Sequence, residues 1–234
     1  MRHTVVEDWS RGSSTLHRRA AGAKLLTLAV FLVLLASSHR RLVVLTAALF
    51  ALLVWAILAA RLPVRGVLSR AAVVLPFSGV FAVVSWLSGD HNRSFELILK
   101  SYLSALAVLV LVGTTPLPEL LRTLEIARVP QFLLTVMQFL YRYLFVVLDE
   151  ASHMRAAAAS RGGMTFGAAA GVLAVLFARS YSRAEGIHRA MTARGFDGRF
   201  RALVPRPYSA ADGQFAAACI LLLLLLRAAT EVLH

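Results

Sequence analysis

Two similar four-residue segments carry the side chains of this sequence that are best suited to binding another molecule. They are Ala159-Ser160-Arg161-Gly162 and Thr192-Ala193-Arg194-Gly195, and each follows a long segment with helical periodicity. A guanidinium group donates hydrogen bonds in a planar fork that matches a carboxylate, so an arginine at a helix end can orient an acidic partner as well as attract it. The chemistry predicted here is therefore recognition of acidic groups by Arg161 and Arg194.

A purely structural explanation is available for either segment taken alone. A cation in the last turn of a helix interacts favourably with the helix macrodipole, by about 0.3–1 kcal/mol, and a glycine just beyond it is a common way to end a helix. Two such ends, closing consecutive helices of one region, favour a shared partner. Small residues at 156–159 and 168–171 would also let the two helices approach closely.

Catalytic chemistry finds little support in the sequence. A phosphate-binding loop of the Gly-x4-Gly-Lys-Ser/Thr kind is absent, so any ATP would have to be hydrolysed by another protein. The 7 histidines lack the close i, i+4 pairs of a metal site, and the single cysteine, Cys219, excludes an intrachain disulfide. We predict no catalytic residue, no cofactor and no resident metal.

Three helices are predicted to position the arginine segments within residues 116–212. The first covers 118–127 and stops before Pro130. The second begins at Pro130, because a missing N–H costs nothing in a first helical turn, and its apolar i, i+3, i+4, i+7 stripe leads to Gly162. The third covers 165–194 and ends at Gly195, which can adopt the left-handed conformation that terminates helices.

Five further stretches are long and apolar enough to lie in lipid, at about 24–38, 42–60, 67–88, 97–115 and 213–230. A helix needs about 20 mostly apolar residues to cross a bilayer, and 59% of this chain is hydrophobic. Alternating barrel segments are absent, and lipid requires every backbone group to be paired internally. The predicted fold class is an all-α integral membrane protein with about five transmembrane helices and three cytoplasmic helices, here called coupling helices because two of them carry the arginine ends predicted to meet a partner.

The basic residues predict the orientation of the chain. Arg18, Arg19 and Lys24 precede or begin the first span, and Arg61 and Arg65 lie between the second and the third. The positive-inside rule places both groups, and the N-terminus, in the cytoplasm. The predicted regions are a basic cytoplasmic segment (1–23), four spans (24–115), a cytoplasmic coupling-helix region (116–212) and a last span (213–234).

Charged residues inside apolar stretches are costly and often functional. Lys100 is expected near the outer end of the fourth span, where its long side chain can reach the interface. Arg142 interrupts an aromatic stretch, and either an ion pair with acidic residues two turns along or a lipid headgroup would satisfy it. The roles of both residues stay open.

The coupling-helix region carries a family resemblance. Val129-Pro130, Tyr141-Arg142-Tyr143 and the segment ending at Gly162 resemble the second coupling helix of the transmembrane (T) component of energy-coupling factor transporters. Residues 179–185 and 190–196 resemble its third coupling helix. In that family an Ala-Arg-Gly signature ends each helix, and here Ser160 replaces the alanine of the first copy. Residues 8–25 resemble the start of the cobalt-type, CbiQ-like members, with Arg19-Ala20-Ala21 in place of the usual Leu-Asp-Pro.

This resemblance implies a non-catalytic scaffold in a bacterial or archaeal cell membrane. Such a scaffold binds two ATPase subunits and a substrate-capture (S) membrane subunit, and it transmits ATP-driven motion for cobalt or nickel uptake. The ATPase contacts would fall on the two arginine segments, comprising Ala159, Ser160, Arg161, Gly162, Ala193, Arg194 and Gly195. Arg142, Arg183 and Glu185 would support the coupling helices.

Other functions compete with this prediction. Within the same family, the substrate could be biotin or another vitamin. From another class, a small polytopic enzyme acting on lipid phosphates would also be basic, but an Asp-x2-Asp-Gly signature is missing. A membrane anchor for nucleic acid would need basic and aromatic residues interleaved in a soluble domain, so no nucleic-acid partner is predicted.

Overall fold

The structure is a computed structural model that describes residues 9–10, 12–37, 42–160, 166–197 and 209–232. Among these residues the secondary structure is helical and no β-strand occurs. The predicted all-α membrane fold is confirmed. The chain divides into two compact units, the first comprising Met1–Leu120 with Arg206–His234 and the second Leu121–Pro205.

The helices are numbered here in chain order. They are α1 (Ala21–Ala36), α2 (Leu42–Ala59), α3 (Val64–Ala71), α4 (Leu75–Leu87), α5 (His91–Thr114), α6 (Leu117–Ile126), α7 (Gln131–Ser160), α8 (Phe166–Ala193) and α9 (Ala210–Val232). A short 3-10 turn, Ala72–Val74, joins α3 to α4. Its cause is Pro76, which has no N–H to donate to the carbonyl of Ala72, so that carbonyl accepts from the amide of Leu75 instead.

The turn between α4 and α5 is set by two residues. Gly89 has a φ of 85°, a left-handed conformation that glycine adopts without a steric penalty. Asp90 follows as the N-cap of α5, and its carboxylate accepts a hydrogen bond from the amide of Arg93 at 3.2 Å. The predicted loop at 89–92 is therefore a tight helical hairpin.

Two other helices end in the same left-handed turn built on an arginine. The sequences are Ala60-Arg61-Leu62-Pro63 after α2 and Ala127-Arg128-Val129-Pro130 after α6, with φ of 56° at Arg61 and 63° at Arg128. In each turn the amide after the arginine donates back to the helix, from Leu62 to the Ile57 carbonyl at 3.1 Å and from Val129 to the Leu124 carbonyl at 3.1 Å. This is the 6→1 bond of a Schellman motif, and the following proline prevents the helix from continuing.

The first unit has a well-defined apolar core. Side chains from α1, α2, α3, α5 and α9 meet in it, among them Leu35, Ile57, Val67, Leu106 and Leu223. The faces of these helices turned away from the core are also apolar, since Trp55 on α2 is 65% exposed and Leu225 on α9 is 58% exposed. A helix that is hydrophobic on every side is typical of a membrane span, where lipid covers the outer face.

Among the described residues, four helical segments are long and apolar enough to cross a membrane by length and composition: Val64–Leu87, His91–Thr114, Gln131–Ser160 and Ala210–Ala229. Ala21–Ala36 and Thr46–Ala59 are shorter apolar helices. The five predicted spans thus correspond to helices or apolar helical segments. Gln131–Ser160 also meets the length and composition of a span, although the sequence places it in the cytoplasm by charge and resemblance; its location stays a prediction.

Candidate partner-docking site

The C-terminus of α8 carries the second arginine segment in a defined geometry. Gly195 has a φ of 74°, its amide donates to the Thr192 carbonyl at 3.0 Å, and the amide of Phe196 donates to the Met191 carbonyl at 3.0 Å. These two bonds are those of a Schellman motif, so the predicted helix end at Gly195 is confirmed. Ala193 and Arg194 are both exposed at this end.

The first arginine segment is described only in part. α7 ends at Ser160, and the Ser160 hydroxyl donates to the Ala157 carbonyl of its own helix at 2.9 Å. Ala159 and Ser160 are exposed. Arg161 and Gly162 lie outside the described residues, so the predicted pairing of the two arginine ends remains a prediction.

A cleft between α7 and α8 leads towards the Schellman turn of α8. Its volume is about 310 Å³, and its lining is mainly apolar. Met191 and Phe196, the two residues joined by the 6→1 bond, are part of that lining. The turn that presents Arg194 therefore also closes one part of an apolar cleft.

An ion pair joins the two helices beside this cleft. The guanidinium of Arg179 on α8 donates to the Glu150 carboxylate on α7, and both residues line the cleft. The Arg179 side chain is 64% exposed, so the pair contributes modestly to stability, on the order of 0–1 kcal/mol for an exposed pair. It supplies one polar contact between α7 and α8. Neither residue was among the predicted site residues. Arg179 begins the segment 179–185 that carries part of the family resemblance, and Glu150 lies two helical turns after Arg142.

The three predicted supporting residues occupy different environments. Arg183 lies one turn after Arg179 and lines the same cleft. Glu185 is exposed and pairs with Arg189 at 2.8 Å along α8. Arg142 is exposed, with its guanidinium 5.8 Å from the centre of the Tyr143 ring. The structure thus brings Arg183 to the cleft and leaves Glu185 and Arg142 outside its lining.

A second polar cluster lies in the first unit. The amine of Lys24, which is 7% exposed, donates to the Thr114 carbonyl at 2.9 Å and to the Thr115 hydroxyl at 3.0 Å. A cation here faces the negative end of the α5 dipole. The sequence marks Lys24 only as one charge of a basic segment, because its partners are 90 residues or more away along the chain.

Two charged residues within or near the apolar helices have polar partners, one on the same helix and one at the end of another helix. Lys100 pairs with Glu96 at 3.5 Å one turn away on α5, and each side chain is 20% exposed. Arg227 donates to the hydroxyl of Ser37. Among the described residues, no group of three or more histidine, cysteine or acidic side chains is arranged to hold a metal ion.

The fold and the clusters together define a multi-pass, all-helical membrane protein without strands in its described parts. Comparison with known families then places the chain: the family model for CbiQ, described as a cobalt transport protein, matches residues 12–204. The protein belongs to the CbiQ cobalt transport protein family. It is thereby a member of a transport family rather than of an enzyme family.

Three relatives match parts of the chain. The chain is 27% identical to the cobalt transport protein CbiQ of Rhodobacter capsulatus, over 67% of this chain and 70% of that protein. It is 31% identical to an uncharacterized protein of Methanocaldococcus jannaschii, over 42% of this chain and 38% of that protein. It is 32% identical to a putative fused cobalt transport protein CbiMQ of Methanocorpusculum labreanum, over 44% of this chain and 18% of that protein.

Proposed function

We propose that this protein is the transmembrane scaffold of an energy-coupling factor importer for cobalt or nickel. In this role it transmits the ATP-driven motion of two ATPase subunits to a substrate-capture membrane subunit. The family supports a transport role, and the resemblance of residues 129–200 to coupling helices supports the mechanical one.

The observation that carries the proposal is the end of α8. The Schellman turn fixes the backbone of Gly195 and Phe196, so Arg194 projects from a defined point instead of a frayed terminus. The guanidinium at this point is exposed and adds a cation to the negative end of the helix dipole. A carboxylate-lined groove on an ATPase could therefore bind Arg194 in two parallel hydrogen bonds.

The contact between α7 and α8 provides the mechanical part of the proposal. A long helix such as α8, with 28 residues, transmits a displacement of one end along its axis. The Glu150–Arg179 pair links α8 to α7 beside the apolar cleft. Displacement of the Arg194 end by ATPase closure would therefore reach residues far from the ATPase.

The experiment is co-purification of the ATPase subunits with variants of Arg194 at matched membrane expression. Arg194→Ala should remove a charge-assisted contact and leave its carboxylate partner unpaired, a loss of about 2–5 kcal/mol if that pair is buried. Arg194→Lys should restore binding only in part, because lysine keeps the charge and loses the fork. Arg189→Ala is the matched control, since Arg189 is exposed on the same helix and forms an i, i+4 ion pair with Glu185 of that helix.

The outcomes separate docking from a helix-stop role. If Arg194→Lys binds the ATPase as the parent protein does and Arg194→Ala loses less than about 1 kcal/mol, the arginine acts through the helix dipole alone. If Arg194→Ala and Arg189→Ala behave alike, the docking proposal is wrong. Uptake of radioactive cobalt by the whole complex, with nickel and biotin as competitors, tests the substrate.

A further inference from the structure

An open cleft in the first unit lies between α1, α2, α5 and α9. Its volume is about 360 Å³, within the range of about 300–1,000 Å³ for small-molecule sites. Most of its lining is apolar, including Phe31, Leu52, Trp55 and Leu222. Trp55 is 65% exposed, so one side of the cleft opens to the surroundings of the helices.

The polar residues of this cleft are gathered at one end. Arg19, Lys24 and Thr114 line it where α1 begins and α5 ends. The apolar residue Phe31 lies seven residues after Lys24 on α1. Leu52 lies seven residues before Ala59, the last residue of α2. At a rise of about 1.5 Å per residue, the apolar part extends about 10 Å from the polar end.

The cationic side chains at the polar end are held in place. Lys24 is anchored by the Thr114 carbonyl and the Thr115 hydroxyl. Arg19 donates to the Ala211 carbonyl at 3.0 Å, and its guanidinium lies 5.5 Å from the centre of the Phe215 ring. A 4.0 Å contact to Asp212 partly balances the charge of Arg19, but the Asp212 carboxylate also accepts from the amides of Ala20 and Ser209.

We propose that this cleft binds one anionic phospholipid, with the phosphate at Arg19 and Lys24 and an acyl chain along Trp55 and Phe31. Charge complementarity selects this occupant: Arg19 and Lys24 both line one end of a mainly apolar groove, and their two positive charges exceed the single negative charge of Asp212 beside Arg19. Basic pockets between transmembrane helices are known binding places for anionic headgroups. A partner helix would fill the apolar part equally well, but unless it carried an acidic group it would leave the positive charge in excess of Asp212 without a counter-ion.

The test uses the tryptophan of the cleft as a reporter. The protein has 3 tryptophans, and the double variant Trp9→Phe with Trp86→Phe retains only Trp55. The protein is placed in phosphatidylcholine bilayers that contain small amounts of either phosphatidylglycerol or phosphatidylcholine with brominated acyl chains. The bromine atoms quench the fluorescence of nearby tryptophans. Quenching of Trp55 should require less brominated phosphatidylglycerol than brominated phosphatidylcholine. A second variant that retains only Trp86, which lies on α4 outside the cleft lining, should show no such preference.

Two substitutions test the proposed contacts separately. Arg19→Gln should reduce the preference for phosphatidylglycerol about fivefold, the factor expected for one basic residue near an anionic surface. Ala56→Leu should fill the apolar part and abolish specific quenching by either lipid, whereas Ala51→Leu on the exposed face of the same helix should change nothing. Thermal unfolding of each variant in the same bilayers identifies any that fails to fold.

Each result decides for or against the lipid. Equal quenching by the two brominated lipids, or an unchanged preference in a folded Arg19→Gln variant, would overturn the proposal. If Trp55 is shielded only when a partner membrane subunit is added, the cleft belongs to a helix of that partner and the lipid assignment is wrong. The measurement uses this chain alone, so it does not depend on the proposed ATPase docking.

Discussion

The two units of the chain differ in how they cover their apolar side chains. In the first unit, Ile57 and Leu106 are 0% exposed, and five helices contribute to one core. In the second, α7 buries only Leu134 among its described residues, and no described side chain of α8 is classed as buried. Phe177 on α8 is 74% exposed and Phe132 on α7 is 74% exposed.

The difference indicates which unit can be stable by its own packing. A helix pair with this much exposed apolar surface requires lipid, detergent or a partner protein to cover it. The first unit carries the packing that a scaffold needs, and the second carries surfaces on which other molecules can act. The four predictions that follow test this division, beginning with the largest expected effect.

The first prediction tests on which side of the membrane each unit presents a chosen residue. In a Cys219→Ser background, Asn92→Cys in the first unit should react with an impermeant thiol reagent added to intact cells. Asp197→Cys in the second unit should react only after permeabilisation, because the basic residues of the coupling region favour the cytoplasm. Both residues are exposed, so access to the reagent is limited by the membrane alone.

The location of α7, which has the length and composition of a span, is tested by Ser160→Cys at its end, because two successive crossings by α7 and α8 would return Asp197 to the same side. Reaction of Ser160→Cys in intact cells would show that α7 crosses the membrane. Reaction of Asp197→Cys in intact cells would show that the second unit is not a cytoplasmic region. The parent Cys219→Ser protein is the control for background labelling.

The second prediction compares a core residue with an exposed one. Ile57→Ala should lower the free energy of unfolding by about 2–3 kcal/mol, in the lower half of the range for aliphatic residues in water-soluble cores, because hydrocarbon outside the protein is as apolar as its interior. Leu173→Ala on α8 should cost less than about 0.5 kcal/mol, since Leu173 is 66% exposed. Reversible unfolding in mixed detergent and sodium dodecyl sulfate measures both; similar losses would contradict the contrast between the units.

The third prediction compares the polar contacts that join helices in each unit. Lys24→Met should cost about 2 kcal/mol, because it leaves the buried Thr114 carbonyl without its donor. Arg179→Met should cost no more than about 1 kcal/mol, since its partner Glu150 remains partly accessible to solvent. The same unfolding assay applies, and a larger loss for Arg179→Met would show that the ion pair of the second unit is the stronger joint.

Much of the helical pattern follows from local sequence. The third predicted coupling helix, 165–194, is observed as Phe166–Ala193, because Gly195 supplies a helix end that depends on neighbouring residues only. The second, predicted from Pro130 to Gly162, begins at Gln131 directly after the proline and is described as far as Ser160, while Gly162 lies outside the described residues. These boundaries needed no knowledge of tertiary contacts.

The candidate sites are harder to predict from local sequence than the helices are. Lys24 meets Thr114 and Thr115 across 90 residues or more, and Arg179 meets Glu150 across 29. A sequence shows that these residues are charged, but packing decides which of them face each other. The left-handed arginines were also missed, since arginine carries no intrinsic preference for positive φ.

Those arginine turns supply the last and smallest prediction, because the same turn occurs once in each unit. A non-glycine residue in the left-handed region costs roughly 1–2 kcal/mol, whereas glycine loses about 0.5–1 kcal/mol more conformational entropy on folding. Arg61→Gly and Arg128→Gly should therefore each stabilise the local turn by about 0.5 kcal/mol, a factor of about two in an equilibrium constant. Hydrogen exchange of the amides of Leu62 and Val129, which close the two turns, should slow by that factor in both variants. Gly195→Ala is the opposite change: an added Cβ meets no described atom within 4 Å, so the same balance of backbone strain and entropy acts at a φ of 74°, and exchange at Phe196 should accelerate by about a factor of two. Arg61→Gly could instead accelerate exchange while Arg128→Gly slows it. In that case the Arg61 side chain makes a stabilising contact that outweighs its backbone strain. The two turns would then share their geometry but not their energetics.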